Sequence, residues 1–376
     1  MKTKVLKSPY PYYGGKSAIA DEVWRRFGRV DNYIEPFMGS LAVMLRRPAE
    51  LMTPSGKETC NDLNHFLTNF WRAVKADPDG VATHADWPVS EVDMHARHRF
   101  LMSSDAAAEF RVKAKADPEF FDAKFAGWWC WGMCCWIGSG WCESVDNKRP
   151  AINKAFGLGV MAKHDAGRPQ LADAYAPGRG VNAGPTLKQQ RPPMLVMNGV
   201  LSGSAGTCEA RRAWLTQWMR DLSDRLRMVR VCCGHWDRIC DSPSTMTRLG
   251  TCGVFLDPPY PLANQGKKSR ETGLYAGDKS NDLDKLRDEV LAWCRKWGSV
   301  PGVRVAVCGY DTDGYAALEA EGWTVWAWKA QGGYGNRNKA NTNPHRERVW
   351  FSPQCQASSR GLFDAIDEST DEGDGD

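Results

Sequence analysis

The chain has 376 residues, of which 42% are hydrophobic, and a formal net charge of +4. This length and composition suit one large globular domain or two smaller ones with a substantial core. The basic N-terminal segment lacks the apolar h-region of a signal peptide, and the most apolar stretch, residues 125–141, is too short and too rich in Gly, Cys and Trp to cross a membrane. We therefore expect a cytoplasmic protein with no membrane partner.

Charge is unevenly distributed along the chain. Residues 364–376 include seven acids and no base, so the remainder is more basic than the net charge suggests. A basic body favours a polyanionic partner, and the acidic segment is typical of a disordered tail. The cysteines number thirteen and include no CxxC pair. In a chain without a signal peptide this favours reduced, buried cysteines and no structural metal.

The first 85 residues alternate short apolar runs with turn signals. A strand is predicted to end within residues 32–37, and a helix to begin near residue 41. A second strand is predicted to end at residues 58–60, before an amphipathic helix over residues 63–76. Alternation of this kind predicts βαβ units and a parallel sheet.

The pattern changes at about residue 86. The pattern of residues 86–124 predicts short charged helices. The following stretch, 125–142, is rich in Trp, Cys and Gly. Residues 163–193 form a basic, Pro- and Gly-rich segment that is typical of a flexible loop. We predict that residues 86–207 form a smaller domain inserted between residues 1–85 and 208–363 of the main domain. The tryptophans at positions 128, 129, 131, 136 and 141 are expected mainly in a core.

The α/β pattern resumes at residue 208. It predicts an amphipathic helix over residues 209–229, strands at 228–232 and 254–256, a helix at 283–297 and a strand at 303–307. Asp313 is predicted to cap a short helix that Gly322 ends. Residues 323–328 and 348–351 predict two closing strands.

Residues 253–260, GVFLDPPY, contain an apolar run that stops at an acid and two prolines. The run has no polar alternation, as in a strand buried on both faces, and neither Pro258 nor Pro259 can continue a sheet ladder. Asp257 and Tyr260 are therefore predicted just beyond the carboxyl end of a central strand, where open α/β sheets bind ligands. The same residues are also compatible with a simple proline turn.

Three turns precede this strand tip. Residues 12–17, YYGGKS, end in Gly-Lys-Ser, but a P-loop needs a glycine at position 10, which is Tyr10. In the second turn, EPFMGS, Gly39 permits close approach of a nucleotide-like ligand, and Glu35 can bind a hydroxyl or ammonium group. Asp62, at the next strand end, could hold ribose hydroxyls or could be the N-cap of its helix.

Taken in order, YYGGKS, YIEPFMGSLAV, the acid of NDLN and FLDPPY resemble the Dam-like DNA adenine-N6 methyltransferases. The C-terminal NPHRERVWFSP is similar to the closing strand of phage-type members. The resemblance implies a Rossmann-like class I S-adenosylmethionine-dependent methyltransferase sheet with helices on both faces, together with an inserted DNA-recognition domain. It also implies S-adenosylmethionine as the methyl donor, no metal, and double-stranded DNA as the substrate, in a bacterial or phage-infected cell near the nucleoid.

The resemblance further implies roles for individual residues. The donor would be bound by Tyr12, Gly14, Gly15, Lys16, Glu35, Pro36, Phe37, Gly39, Asp62, His235 and Trp236, with Lys16 at the donor's methionine end. Two positions depart from the family pattern. Leu41 occupies the place of a second glycine, and His235 stands where an acid or amide commonly meets the donor's adenine.

The catalytic residues are predicted to be Asp257, Pro258, Pro259 and Tyr260. The N6 lone pair of adenine is delocalised into the ring, so the amine is a poor nucleophile until its hydrogens are accepted. Asp257 and the Pro258 carbonyl could supply those acceptors, and Tyr260 could stack on a flipped base. Cytosine-N4 methylation requires similar chemistry and stays an alternative, as does a DNA-binding relative that has lost catalysis.

DNA phosphates are expected to contact basic residues near the tip and in loops, each of which could also be a solvated surface charge. These residues are Lys267, Lys268, Arg270, Arg337, Lys339, Arg346, Arg168 and Arg179. A monomer on DNA is expected, with a dimer possible. The target sequence, and a place in a restriction-modification, phage or regulatory system, do not follow from the residues.

Overall fold

The structure is a computed structural model that describes residues 6–10, 12, 16–136, 141–142, 207–259, 283–328 and 347–357. Its strands are β1 (Asn32–Glu35), β2 (Lys57–Asp62), β3 (Val229–Cys233), β4 (Cys252–Leu256), β5 (Val303–Tyr310), β6 (Thr324–Ala327) and β7 (Glu347–Phe351). They form one sheet in the order β3-β2-β1-β4-β5-β7-β6. The strands thus lie where the sequence patterns predict them.

Six of these strands run in one direction, and β7 runs antiparallel between β5 and β6. Strand order reverses between β1 and β4, which pair directly. In open α/β sheets the ligand crevice lies outside the carboxyl ends of the strands at such a reversal. The topology therefore directs attention to the turns that follow β1 and β4.

The α-helices are α1 (Ala20–Phe27), α2 (Ala42–Leu45), α3 (His65–Ala76), α4 (Pro78–Ala85), α5 (Glu91–Ser103), α6 (Asp105–Ala116), α7 (Ala123–Cys135), α8 (Thr207–Leu226), α9 (Pro243–Met246) and α10 (Leu283–Gly298). Short 3-10 helices occupy Lys16–Ala18, Ala49–Leu51, Trp236–Ile239 and Tyr315–Glu321. None of the helices in the described ranges is long and apolar enough to span a membrane.

Alternate residues of the central strands enter two separate apolar clusters. Phe255 and Tyr33 pack in the cluster that contains α1 and α3. Val254, Leu256 and Ile34 pack in the other, against α10. Because both faces of β4 are covered by helices, the strand shows no polar alternation. The predicted α/β sheet with helices on both faces is confirmed.

Helices α4 to α7 share the first cluster with the sheet. The Trp129 ring lies 4.9 Å from the Tyr10 ring and 5.8 Å from the Phe70 ring of α3. Trp129, Trp131 and Trp141 are buried, which confirms the expectation of a core position for them. The predicted boundary at residue 86 coincides with the end of α4, and the inserted domain over residues 86–207 stays a prediction.

One expectation from the sequence is wrong. Asp313 does not cap the helix Tyr315–Glu321, because its carboxylate instead accepts a hydrogen bond from the backbone N–H of Tyr310 at 2.7 Å. This bond closes the turn after β5. Gly322 ends the helix as predicted, in a left-handed conformation with φ of 85°.

Candidate active site

Asn61 of β2 joins the turns that follow the two neighbouring strands, β1 and β3. Its side-chain amide donates to the carbonyl of Pro36, after β1, at 3.1 Å and to the carbonyl of Gly234, after β3, at 2.9 Å. The backbone carbonyl of Asn61 accepts a hydrogen bond from the backbone N–H of Met38 at 2.9 Å. Sequence reasoning missed Asn61, and a polar residue just before the predicted acid Asp62 is the signal that could have found it. The amide aligns the carboxyl edge of the sheet.

The glycine turn after β1 is closely packed. Gly39 has φ of 42°, and a side chain there would meet the Tyr12 ring at 2.9 Å. Its carbonyl accepts from the Tyr10 hydroxyl at 3.1 Å and from Trp71 Nε1 at 3.3 Å. Tyr12 and Gly39, both predicted to bind the donor, are therefore in contact, and no other residue type fits at position 39 without a shift.

Leu41 adopts a left-handed conformation with φ of 52° and ψ of 28°, and it is completely buried. Leu41 stands where the family pattern has a glycine. Its backbone adopts the left-handed conformation that glycine adopts without strain. The left-handed conformation costs an L-residue about 1–2 kcal/mol. The backbone path of the turn is retained despite the substitution.

Asp62 links β2 to the glycine turn. Its Oδ1 accepts from Asn64 N–H at 2.9 Å, and its Oδ2 accepts from Gly39 N–H at 3.4 Å. Burial raises the pKa of Asp62 to about 6, and the backbone donors oppose that rise. The N-cap alternative is wrong, because Asn64 caps α3 by accepting from the N–H groups of Phe66 and Leu67.

Glu35 ends β1 in a fully buried position. Its Oε2 accepts from the Tyr33 hydroxyl at 3.0 Å and from Met44 N–H at 3.2 Å. Burial raises the pKa of Glu35 to about 8, and the nearby Asp257 adds to the rise. Glu35 is therefore mainly protonated at neutral pH.

An aromatic pair connects the turns after β1 and β3. Phe37 and Trp236 are stacked, with ring centroids 5.7 Å apart and an interplanar angle of 27°. Trp236 Nε1 is buried and has no hydrogen-bond partner among the described residues. His235 is exposed, and its Nδ1 lies 2.7 Å from Asp237 Oδ1. Both rings are buried, so the pair packs the turn after β1 against the turn after β3.

Lys16 lies between two carboxylates at the tip of the sheet. Its Nζ is 3.1 Å from Asp257 Oδ1 and 3.6 Å from Glu347 Oε2. Burial alone would lower the pKa of Lys16, but Asp257 and Glu347 outweigh it and raise the pKa above its ordinary value. The lysine predicted to contact the donor thus pairs with the predicted catalytic acid.

Glu347 was missed by the sequence reasoning, although a charged residue at the start of an apolar closing strand was the available signal. The donor-site residues Gly14 and Gly15 and the base-stacking residue Tyr260 lie outside the described residues. So do all the predicted DNA contacts, the segment 163–193 and the acidic segment 364–376, which stay predictions. Pro258 and Pro259 follow β4 directly, as predicted, and Pro258 is buried.

Four acidic residues lie at this edge of the sheet, namely Glu35, Asp62, Asp257 and Glu347. Asp257 and Glu347 pair with the buried ammonium group of Lys16. Burial raises the pKa of Glu35, Asp62 and Glu347, because it disfavours their charged forms.

An open α/β sheet with acids at the carboxyl ends of its strands is an architecture in which nucleotide-like ligands commonly bind near the strand reversal. Residues 12–101 match the model of the family described as D12 class N6 adenine-specific DNA methyltransferase. The match confirms the resemblance and, with it, the expected enzyme class, an N6 adenine-specific DNA methyltransferase. No curated protein matches the chain.

The matched segment contains the turns of Lys16, Gly39 and Asp62, and it extends past residue 85 into α5. It therefore covers the donor-side turns and part of the region predicted as an insert. The family favours adenine over cytosine as the acceptor base. The seven-stranded sheet is consistent with a methyltransferase fold.

Proposed function

We propose that the chain transfers the methyl group of S-adenosylmethionine to N6 of an adenine flipped out of double-stranded DNA. The observation that carries this proposal is the position of Asp257 at the tip of β4, beside the strand reversal and within 3.1 Å of Lys16. An acid so placed can accept hydrogen bonds from an amine. The family match supplies the acceptor base.

The donor supplies an electrophilic methyl group on a sulfonium centre. Glu35 and Asp62 are proposed to bind its ammonium and ribose hydroxyls, and Phe37 and Trp236 its adenine. Burial raises the pKa of Glu35 to about 8, so binding an ammonium group there would require Glu35 to lose a proton. Tyr12 packs against Gly39 in the same turn. The residue-by-residue assignment of the donor site is part of this proposal.

Asp257 and the carbonyl of Pro258 are proposed to accept the hydrogens of N6, which directs the nitrogen lone pair out of the ring. The Asp257 side chain is 22% exposed, whereas that of Lys16 is 5% exposed. A substrate amine can therefore reach Asp257 while Lys16 stays buried behind it. As the N–C bond forms, the bond between the methyl group and the donor sulfur would break and the donor would leave as a neutral thioether. N6 would become cationic and would then lose a proton, which Asp257 is placed to accept.

The DNA side of the proposal rests on the sequence. Tyr260 would stack on the flipped base, and base–aromatic stacking worth about 1–3 kcal/mol would offset much of the unstacking cost. The eight basic residues named above would contact phosphates, and residues 86–207 would supply target recognition. We propose a monomer that acts on DNA within a bacterial or phage-infected cell.

The test combines methyl transfer from labelled donor to unmethylated duplex DNA with nucleoside analysis. Wild-type protein should yield N6-methyladenine. Asp257→Ala should lower turnover by at least about 100-fold, as loss of a transition-state hydrogen bond does, with donor binding largely intact. Asp79→Ala, which removes an exposed carboxylate paired with Arg220, is the matched control. N4-methylcytosine as the product, or wild-type turnover by Asp257→Ala, would contradict the proposal.

A further inference from the structure

Glu347 reaches the catalytic edge because β7 is antiparallel. The start of β7 pairs with the end of β5, where Glu347 lies opposite Tyr310. The residue is 8% exposed, and its Oε2 accepts no hydrogen bond from the described part of the chain. Lys16 Nζ lies 3.6 Å from this oxygen. This is an ion pair held just beyond hydrogen-bond distance.

A buried carboxylate without a hydrogen bond is costly, since desolvation of an ion amounts to several kcal/mol. The alternative acceptor for Lys16 is Asp257, at 3.1 Å. If Asp257 takes the hydrogens of a substrate amine, Lys16 loses its nearer partner in a position that is 5% exposed. Glu347 is the second carboxylate within reach of that ammonium group.

We propose that Glu347 is a positioning residue that takes over Lys16 when Asp257 engages the target amine. The inference rests on the amine-binding role proposed above for Asp257. A charge-assisted hydrogen bond spans about 2.8 Å, so Lys16 needs to move by only about 0.8 Å to form one with Glu347. The exchange keeps the ammonium group next to a carboxylate and gives Glu347 Oε2 a hydrogen bond.

Five titratable groups from different elements face this exchange. They are Lys16 from the first 3-10 helix, Glu35 at the end of β1, Asp257 after β4, Cys308 of β5 and Glu347 of β7. Burial raises the pKa of the Cys308 thiol and of Glu35, so both are mainly neutral at pH 7. Burial also raises the pKa of Glu347, and Lys16 opposes that rise. The ion pairs at the centre of the exchange join the ammonium group of Lys16 to Asp257 and Glu347.

Lys16, Asp257 and Glu347 form a trio of charged residues. Glu347→Gln removes one of the two carboxylates of this trio and leaves Asp257 as the other. The tighter pair should compete with the substrate amine and lower kcat by about 10-fold to 100-fold, the range found for groups that orient a reactive side chain. Donor Kd and KM for DNA should stay unchanged. Loss of a neighbouring negative charge favours ionised Asp257, so the acid limb of the kcat–pH profile should move to lower pH.

Glu347→Asp provides the second variant, because it keeps the charge at a shorter reach. It should give an intermediate kcat and a wild-type acid limb, even if Glu347→Gln folds poorly. Glu321→Gln, which removes an exposed carboxylate paired with Arg295, is the matched control. Wild-type kcat and pH profile in Glu347→Gln, or an equal loss of kcat in both Glu347 variants, would overturn the inference. An active Asp257→Ala would instead refute the proposed function itself.

Discussion

The strained turn at Leu41 allows a sharp test of the donor-side backbone. Leu41 combines complete burial with φ of 52°. Replacing it with alanine removes packing but keeps a β-carbon in the left-handed conformation. Replacing it with glycine removes the packing and the strain together. The two substitutions therefore separate the contribution of the side chain from that of the backbone.

The magnitudes follow from burial and conformation. Loss of a buried leucine side chain costs about 2–5 kcal/mol, so both variants should be less stable than wild type. Glycine ordinarily loses about 1 kcal/mol relative to alanine inside an element. At position 41, relief of about 1–2 kcal/mol of left-handed strain offsets that loss. Leu41→Gly should thus be at least as stable as Leu41→Ala.

Urea unfolding followed by tryptophan fluorescence measures the difference. The control is the same pair of substitutions at Leu222, which is fully buried inside α8. There, glycine should be less stable than alanine by about 1 kcal/mol. If glycine is the worse residue by the same margin at both positions, the strain assigned to Leu41 does not exist.

Two further predictions concern buried groups of the donor site. Glu35 has an ordinary pKa of 4.5 and a folded-state pKa of about 8, so the folded protein holds the extra proton between those values and loses stability as pH rises through them. The urea midpoint of the wild-type protein should therefore be lower at about pH 8 than at about pH 5, and Glu35→Gln should abolish this difference. Wild-type and variant midpoints that change in parallel with pH would contradict the prediction. Trp236→Phe keeps the ring stacked on Phe37 and removes an Nε1 without a described partner. Ligand-free stability should fall by about 1–2 kcal/mol, because the smaller ring leaves a cavity in the core, while donor Kd rises about 3-fold to 10-fold in calorimetry. Unchanged donor affinity would count against a role of Trp236 in donor binding.

The sheet could be predicted from the sequence because its strands end in residues that mark their own boundaries. Pro258 and Pro259 stop β4, and the acid of β2 stands at the last paired position, Asp62. These signals lie within the strand's own sequence, so they can be recognised without knowing which strands pair with it. The order of the strands is not local, and neither is the antiparallel direction of β7.

The contacts that could not be predicted depend on that order. The Asn61 side chain donates hydrogen bonds to the carbonyls of Pro36 and Gly234, which lie in the turns after β1 and β3. A single amide residue has no periodic sequence pattern that would predict such contacts. Glu347 reaches the active edge only because its strand runs opposite to β5. Lys16 was assigned to the donor by resemblance, and only the assembled sheet brings it against Asp257.

The trio of Lys16, Asp257 and Glu347 has a consequence for synthesis of the protein. Lys16 precedes α1, whereas Glu347 begins β7, the last strand described. Ribosomes add about 5–20 residues per second and domains fold as units, so β7 joins the sheet only after nearly all of the chain has emerged. The ion pairs of Lys16 are therefore completed late in synthesis, when β7 pairs with β5 and brings Glu347 to the edge of the sheet.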